Sequence, residues 1–170
     1  TEALALQEIP KHLMVVGGGV IGVEIGSVFA RLGSKVSIVE YFESLIASMD
    51  SSLGHQLHRS LRKQGIEFYL EHKVTEARTM DDKVELKAEN LSNKKEMSLE
   101  GDFCLMAIGR NPYTANLGLE NIGVEINEKG QISVDENLET NVKGVYAIGD
   151  VIRGAMLAHK ASEEGVFVAE

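Results

Sequence analysis

The segment from Leu13 to Glu40 constrains the fold more than any other part of the 170-residue sequence. It consists of an apolar run of strand length, a glycine cluster, an apolar-periodic helix and a second short strand that ends on an acid. A strand that passes through glycines into a helix and then returns as a strand is typical of a βαβ unit. The segment therefore predicts the first βαβ unit of an α/β domain.

The glycines of this segment follow the spacing G-x-G-x-x-G. We expect Gly17 to make the tight turn out of the strand, Gly19 to let a pyrophosphate approach the backbone, and Gly22 to let the helix lie close to the strand. The N-terminus of a helix stabilises an anion, because its N–H groups are unpaired and carry partial positive charge. Glu40 ends the next strand, where an acid accepts hydrogen bonds from an adenosine ribose. The pattern predicts a dinucleotide site; the alternative is a packing loop with an incidental glutamate.

Composition excludes several classes of partner. The chain has 17 Lys+Arg against 26 Asp+Glu and a net charge of −9, which argues against a nucleic-acid partner. Its single cysteine, Cys104, allows no intrachain disulfide and indicates a reducing compartment. No apolar run approaches the roughly 20 residues that span a bilayer, so we expect no membrane partner. Asp81 and Asp82 predict a turn, and we expect no metal site.

The remaining elements are predicted from periodicity and turn residues. The second helix begins at Asp50 or Ser51, and we expect its basic face to be a solvated surface. The change from helical to alternating periodicity after the third strand predicts an antiparallel meander in place of the next crossover helix. The predicted strands are 12–16, 35–40, 66–70, 74–80, 83–91, 95–99, a buried central strand 103–108, a hairpin 123–127 and 131–135, and a buried strand 144–150; the predicted helices are 20–32, closed by Gly33, one from 50 or 51 that ends at Gly65, and 158–170.

Three further side chains have a chemical and a structural interpretation. Asp150 follows Gly149 at a predicted strand end, where its carboxylate is placed either to bind a polyol or to form a strand-end turn or a helix cap. His159, near a predicted helix start, is more simply structural than a base. Cys104 lies within a predicted strand and is more simply a buried thiol than a nucleophile.

Four motifs together carry a family resemblance: GGGVIGVEIGSVFARLGSKVSIVE at 17–40, AIGRNP at 107–112, TNVKGVYAIGD at 140–150 and MLAHKASEEG at 156–165. Across essentially all 170 residues the chain resembles the flavoprotein disulfide reductases that bind two dinucleotides, and within them the dihydrolipoyl dehydrogenases. The resemblance implies the three-layer FAD/NAD(P)-binding α/β fold, a Rossmann-like parallel sheet with helices and an antiparallel meander crossover. It also implies a partial return segment of the flavin domain.

The resemblance implies two sets of cofactor-binding residues. Glu24 would lie near the nicotinamide, although a first-turn acid also satisfies the helix dipole. Glu40 would repel a 2′-phosphate, and no arginine lies between Tyr41 and Arg59, so we expect NAD and not NADP. The expected NAD residues are Gly17, Gly18, Gly19, Val20, Ile21, Gly22, Val23, Glu24, Glu40, Val74 and Gly109, and the expected FAD residues are Asp150, Met156, Leu157, Ala158 and His159.

The resemblance also predicts what this chain lacks. The family's flavin fingerprint, C-x4-C redox disulfide and His-Glu pair do not occur in it and would lie before Thr1 and after Glu170. We therefore expect a linker over 1–11, an NAD-binding domain over 12–111, a segment over 112–170 that completes the FAD domain, and no catalysis by this piece alone.

For the intact protein the resemblance implies oxidation of protein-bound dihydrolipoamide by NAD through the redox disulfide and FAD. The implied partners are a lipoyl-bearing acyltransferase of 2-oxo acid dehydrogenase complexes and a second copy of the chain. The implied compartment is the bacterial cytoplasm or, alternatively, the mitochondrial matrix. The alternatives are another NAD-linked flavoprotein reductase, of the NADH oxidase or transhydrogenase type, and a stand-alone NAD-binding module.

Overall fold

The computed structural model describes residues 2–170 and divides them into two compact units, 2–109 and Arg110–Glu170. A 3₁₀ turn, Glu2–Ala5, lies in the segment predicted to be a linker. The elements of the first unit are β1 (His12–Val16), α1 (Val20–Arg31), β2 (Lys35–Val39), α2 (Ser51–Lys63), β3 (Glu67–Tyr69), β4 (His72–Thr79), β5 (Val84–Asn90), β6 (Glu96–Gly101) and β7 (Phe103–Met106); those of the second are α3 (Leu119–Ile122) and α4 (Ala158–Ala169).

The βαβ prediction is confirmed. Four parallel strands form a sheet in the order β3-β2-β1-β7, with Leu13 opposite Val36 on one side and Phe103 on the other. Gly33 has a φ of +101° directly after the C-cap of α1, and the Asp50 carboxylate accepts a hydrogen bond of 2.8 Å from the Ser52 N–H at the start of α2. The chain leaves β1 toward β2 and later returns beside β1 as β7. This reversal is the topological switch point, where open α/β sheets bind ligands.

The meander prediction is also confirmed, because β4, β5 and β6 form an antiparallel sheet in that order. Leu86 and Ala88 of β5 pack on one face of the parallel sheet together with Met14 and Val39. On the opposite face, helix residues such as Phe29 and Leu61 contact the other side of the parallel strands. Both faces of β1 are covered, which explains why Leu13 to Val16 are all buried.

The prediction that β7 is a buried central strand over 103–108 is wrong. Among the described residues, β7 lies at the edge of the sheet, pairs only with β1 and ends at Met106. Phe103 is 43% and Met106 54% exposed. An apolar run fixes strand character but does not say on how many sides a strand is paired.

The second unit contains less regular structure than predicted. The hairpin is reduced to a single bridge between Ile126 and Ile132, and the strand expected over 144–150 is not formed. In its place, one bridge joins Glu139 to Tyr146 and a 3₁₀ turn covers Gly149–Val151. The described residues of this unit offer no neighbouring strand to complete a ladder. The short α3 was not predicted, whereas α4 matches its predicted range to within one residue.

Candidate functional site

A cavity of about 770 Å³ opens at the carboxyl ends of β1, β2 and β7. Its volume lies within the range of small-molecule and cofactor sites. Its floor is the glycine loop after β1, and the first residues of β4 and the segment after β7 close its sides. The lining residues are Val16, Gly17, Gly19, Val20, Ile21, Val39, Glu40, Tyr41, Phe42, Ile46, Ala47, Ser48, His72, Lys73, Val74, Met106, Ala107, Ile108 and Gly109.

Two of the loop glycines are required by the protein itself. Gly17 has a φ of +105°, and a Cβ there would lie 2.5 Å from the Ala107 carbonyl oxygen. A Cβ on Gly22 would lie 2.0 Å from the Gly17 carbonyl oxygen, so no side chain fits between α1 and the loop. Any substitution at either position therefore disturbs the fold before it affects a ligand.

Gly18 and Gly19 have opposite surroundings. A Cβ on Gly18 would lie 2.7 Å from Leu45 Cδ2, so this position faces the protein. A Cβ on Gly19 would have no protein atom within 4 Å, and the backbone angles there, φ −71° and ψ 179°, suit any residue. Gly19 is also the N-cap of α1, which begins without a side-chain cap. Nothing in the described protein requires a glycine at position 19.

Glu40 is buried, with 7% of its surface exposed, and its carboxylate supports the glycine loop. Oε2 accepts a hydrogen bond from the Gly18 N–H, and Oε1 accepts one of 2.8 Å from the Phe42 N–H. An ionised carboxylate has about four acceptor sites. These two bonds therefore leave acceptor capacity for the hydroxyl groups of a ligand.

The connection between β2 and α2 is hydrogen-bonded to the glycine loop. The Ile46 N–H donates a 2.9 Å hydrogen bond to the Gly18 carbonyl oxygen. Ile46 has a φ of +46°, which is rare for a β-branched residue and costs free energy. The sequence gives no sign of this strain, because nothing about an isoleucine predicts a left-handed backbone.

The rim of the cavity is apolar. Six large side chains there are between 47% and 73% exposed: Val20, Ile21, Tyr41, Phe42, Met106 and Ile108. Tyr41 and Phe42 contact each other edge to face, with their ring centroids 5.5 Å apart. Sequence reasoning overlooked this pair, although two aromatic residues directly after Glu40 were a visible signal.

The predicted NAD residues are divided by the structure into two groups. Seven line the cavity: Gly17, Gly19, Val20, Ile21, Glu40, Val74 and Gly109. Gly18, Gly22 and Val23 are buried outside this lining, and Glu24 is exposed on α1, also outside it. No contact of Glu24 connects it to the cavity within the described residues, so its role beside the nicotinamide stays a prediction.

In the second unit, the Gly149–Val151 turn packs on α4. The Gly149 N–H donates a 2.8 Å hydrogen bond to Glu164 Oε2, and Lys160 Nζ lies 2.6 Å from Glu164 Oε1. Burial raises the pKa of Glu164, but its hydrogen bonds from Lys160 and Gly149 outweigh burial and lower the pKa overall. This arrangement holds the turn against the helix.

The predicted FAD residues lie on these two elements and in the two residues directly before α4. Asp150, in the turn, forms an ion pair of 2.7 Å with Arg110. Leu157 is the N-cap of α4, without a side-chain cap, and it is exposed together with Ala158 and His159, whereas Met156 is half-buried. The structure thus places the acid and the helix start on adjoining elements, and their contact with a flavin stays a prediction.

Two other expectations concern Cys104 and metals. Cys104 is half-buried against the meander core, and burial raises the pKa of its thiol, which suits a packing role and not a nucleophile. Among residues 2–170, no group of three or more His, Cys, Asp or Glu side chains is arranged to hold a metal ion. No helix in the same range is long and apolar enough to span a bilayer.

Comparison with known proteins gives a consistent result. The family model for pyridine nucleotide-disulphide oxidoreductases matches residues 1–165. The mitochondrial dihydrolipoyl dehydrogenase of Pisum sativum is 49% identical over all 170 residues, which correspond to 34% of its length. The leghemoglobin reductase of Vigna unguiculata is 51% identical over the whole chain and 32% of its own length. The chain thus spans about a third of these curated relatives.

Solved structures agree. The HOCl-induced flavoprotein disulfide reductase RclA of Escherichia coli, in its Cu(II) complex, superposes with a TM-score of 0.89 at 34% identity, over 99% of this chain and 38% of that chain. LpdA of Mycobacterium tuberculosis superposes with a TM-score of 0.84 at 28% identity, over 96% of this chain and 34% of that chain.

Proposed function

The chain belongs to the pyridine nucleotide-disulphide oxidoreductase family, and from that premise we propose that it is the NAD-binding part of a dihydrolipoyl dehydrogenase. The proposal assigns residues 12–111 to the NAD-binding domain and 112–170 to a segment that completes an FAD domain. The whole protein would oxidise protein-bound dihydrolipoamide on a lipoyl-bearing acyltransferase, as a homodimer with FAD and a redox disulfide. Similarity to mitochondrial and bacterial dihydrolipoyl dehydrogenases supports this assignment.

Gly19 is the observation that carries the NAD proposal. Gly17, Gly18 and Gly22 are each confined by protein atoms, whereas a Cβ at position 19 would point into open space at the uncapped N-terminus of α1. A glycine that the protein does not need for itself suits a ligand that approaches the backbone. The helix N-terminus beside it favours an anion, as a pyrophosphate is.

The other residues of the cavity fit the rest of a dinucleotide. Glu40 retains acceptor capacity for ribose hydroxyls, and the apolar rim offers surface to planar rings. NAD, when bound, supplies the hydride-accepting chemistry. The protein residues bind the coenzyme, orient it and exclude water from its rings.

The buried carboxylate of Glu40 also supports NAD over NADP. It is held by two backbone N–H groups and does not swing away from an incoming group. A 2′-phosphate would meet this fixed negative charge with little solvent screening, because the residue is buried. We expect NADP to bind at least about tenfold more weakly than NAD, which corresponds to about 1.4 kcal/mol.

The test is calorimetric titration of Gly19→Ala with NAD. We expect an unchanged melting temperature and a loss of affinity of about tenfold or more, because a methyl group would occupy the space of the pyrophosphate. Gly165→Ala in α4 is the matched control, because a Cβ there would be in ordinary contact, 3.4 Å from Ile148 Cδ1. Unchanged NAD affinity in Gly19→Ala would refute the site.

Two measurements discriminate the alternatives. A stand-alone NAD-binding module would unfold in one cooperative step and gain stability with NAD by mass action, whereas separate melting of Arg110–Glu170 supports a segment that belongs to a second domain. A reductase of the NADH oxidase or transhydrogenase type would lack two cysteines five positions apart in the adjoining sequence.

A further inference from the structure

The exposed face of α2 concentrates positive charge in an acidic protein. His55, His58, Arg59, Arg62 and Lys63 recur at helical spacing on one face, and all five line one shallow depression of about 510 Å³. The chain as a whole has a net charge of −9. From residue 55 to residue 63 the row extends about 12 Å along the helix axis.

The three fixed cations of this row, Arg59, Arg62 and Lys63, have no acidic partner in the described protein, and the two histidines lie beside them. No Asp or Glu occurs between Ser51 and Lys63, and no carboxylate of residues 2–170 lies within 4.0 Å of the side-chain nitrogens of the row. Burial is the largest cause that lowers the pKa of His58, and the neighbouring Arg62 and His55 lower it further. Like charges spaced three and four residues apart repel and weaken a helix.

Helix electrostatics account for only part of the row. Arg62 and Lys63 lie in the last turn of α2, where cations interact favourably with the helix dipole. His55, His58 and Arg59 precede that turn, so the dipole does not explain them. The charge of Arg59 is therefore not used by the described part of the fold.

We propose that this α2 basic face docks an acidic segment of a partner protein. Complementary charge steers such an encounter and fixes its orientation. Every residue that lines the depression belongs to this one helix, so the face is open and does not surround a small anion. A row about 12 Å long matches about four residues of an extended acidic chain, at about 3.3 Å per residue. Among the described residues, no Phe or Tyr lines the depression as a surface on which bases could stack, which disfavours a nucleic acid as the occupant.

Fluorescence anisotropy with a labelled oligoglutamate peptide tests this proposal. We expect saturable binding at low salt that weakens as the Debye length shortens from about 8 Å at 0.15 M to about 3 Å at 1 M. Arg59→Glu/Arg62→Glu should weaken binding by about tenfold or more. Arg59→Gln/Lys63→Gln, which removes two charges without reversing them, should weaken peptide binding less than this variant does. It keeps the test valid if the charge-reversed variant does not fold.

The matched control is Lys83→Glu/Lys94→Glu, which makes the same change in net charge on the meander, where both lysines already face glutamates. We expect this variant to bind the peptide within about twofold of the parent chain. Equal losses in the two reversed variants, or no saturable binding by the parent, would overturn the proposal. Equal competition by free glutamate at the same carboxylate concentration would also overturn it, since it would indicate a small-anion site.

Discussion

Replacement of Glu40 by alanine should destabilise the first unit as well as weaken NAD binding. The carboxylate accepts hydrogen bonds from the N–H groups of Gly18 and Phe42, and alanine removes both acceptors. A buried donor left without a partner costs about 1–3 kcal/mol. Gly18 is buried and bears this cost in full, whereas Phe42 is 56% exposed and water can replace its lost acceptor.

The expected net loss is about 1–2 kcal/mol, because the missing carboxylate no longer has to be desolvated and this offsets part of the cost at Gly18. For a unit of this size, that corresponds to a fall in melting temperature of about 4–16 °C. The assay is thermal and urea unfolding followed by circular dichroism, with NAD titrated well below the transition. Glu43→Ala, an exposed acid of the same connection, is the control for the charge change and should leave stability within about 0.5 kcal/mol.

The two roles of Glu40 are separable in this experiment. Full stability in Glu40→Ala with weakened NAD binding would refute the loop-supporting role and leave only the ribose contact. Lost stability with unchanged NAD affinity, measured on the folded fraction, would instead contradict the ribose contact.

Two further predictions concern protonation and buried charge. Burial is the main reason that the pKa of His12 is lowered, and the charge of Lys35 lowers it further; burial is also the main reason that the pKa of His58 is lowered. Because both pKa values in the folded protein lie below the ordinary value of about 6.5, the stability should be full above that pH and fall as the solution is acidified. Urea titrations from pH 8 to 5 check this, and a flat profile would contradict it. Glu164→Ala should destabilise the second unit by about 1–3 kcal/mol, because it leaves Lys160 buried beside an unpaired Gly149 N–H. Lys160→Met/Glu164→Leu should recover part of this loss in a double-mutant cycle, and additive losses would show that the pair is not coupled.

The sequence predicted the first unit well because its local signals agree with each other. Glycine spacing, helical periodicity and alternating strands all pointed to one βαβ unit and a meander, and the parallel and antiparallel sheets follow that plan. The position of β7 at the sheet edge was not predictable, because composition does not reveal strand order. Position 40 was identified from spacing, yet its burial and its bond to Gly18 depend on how two loops meet in space.

The second unit was predicted less well for a different reason. The run from Gly144 to Asp150 is apolar enough for a strand, but a strand needs a neighbour with which to form hydrogen bonds. Leu138 and Ala147 meet in the core of this unit through one bridge and adjoining loop contacts. Propensity alone thus overstated the regular structure.

The meander has a practical consequence for anyone who wishes to attach a probe to this protein. Strand β4 begins at His72, on the wall of the cavity, and ends at Thr79, about 23 Å further along. The hairpin tip at Asp81 and Asp82 is exposed and far from the glycine loop, whereas the tip after Asn90 returns toward Glu71. A fluorophore or inserted reporter at the Asp81 tip would report on the first unit and leave its cavity unobstructed.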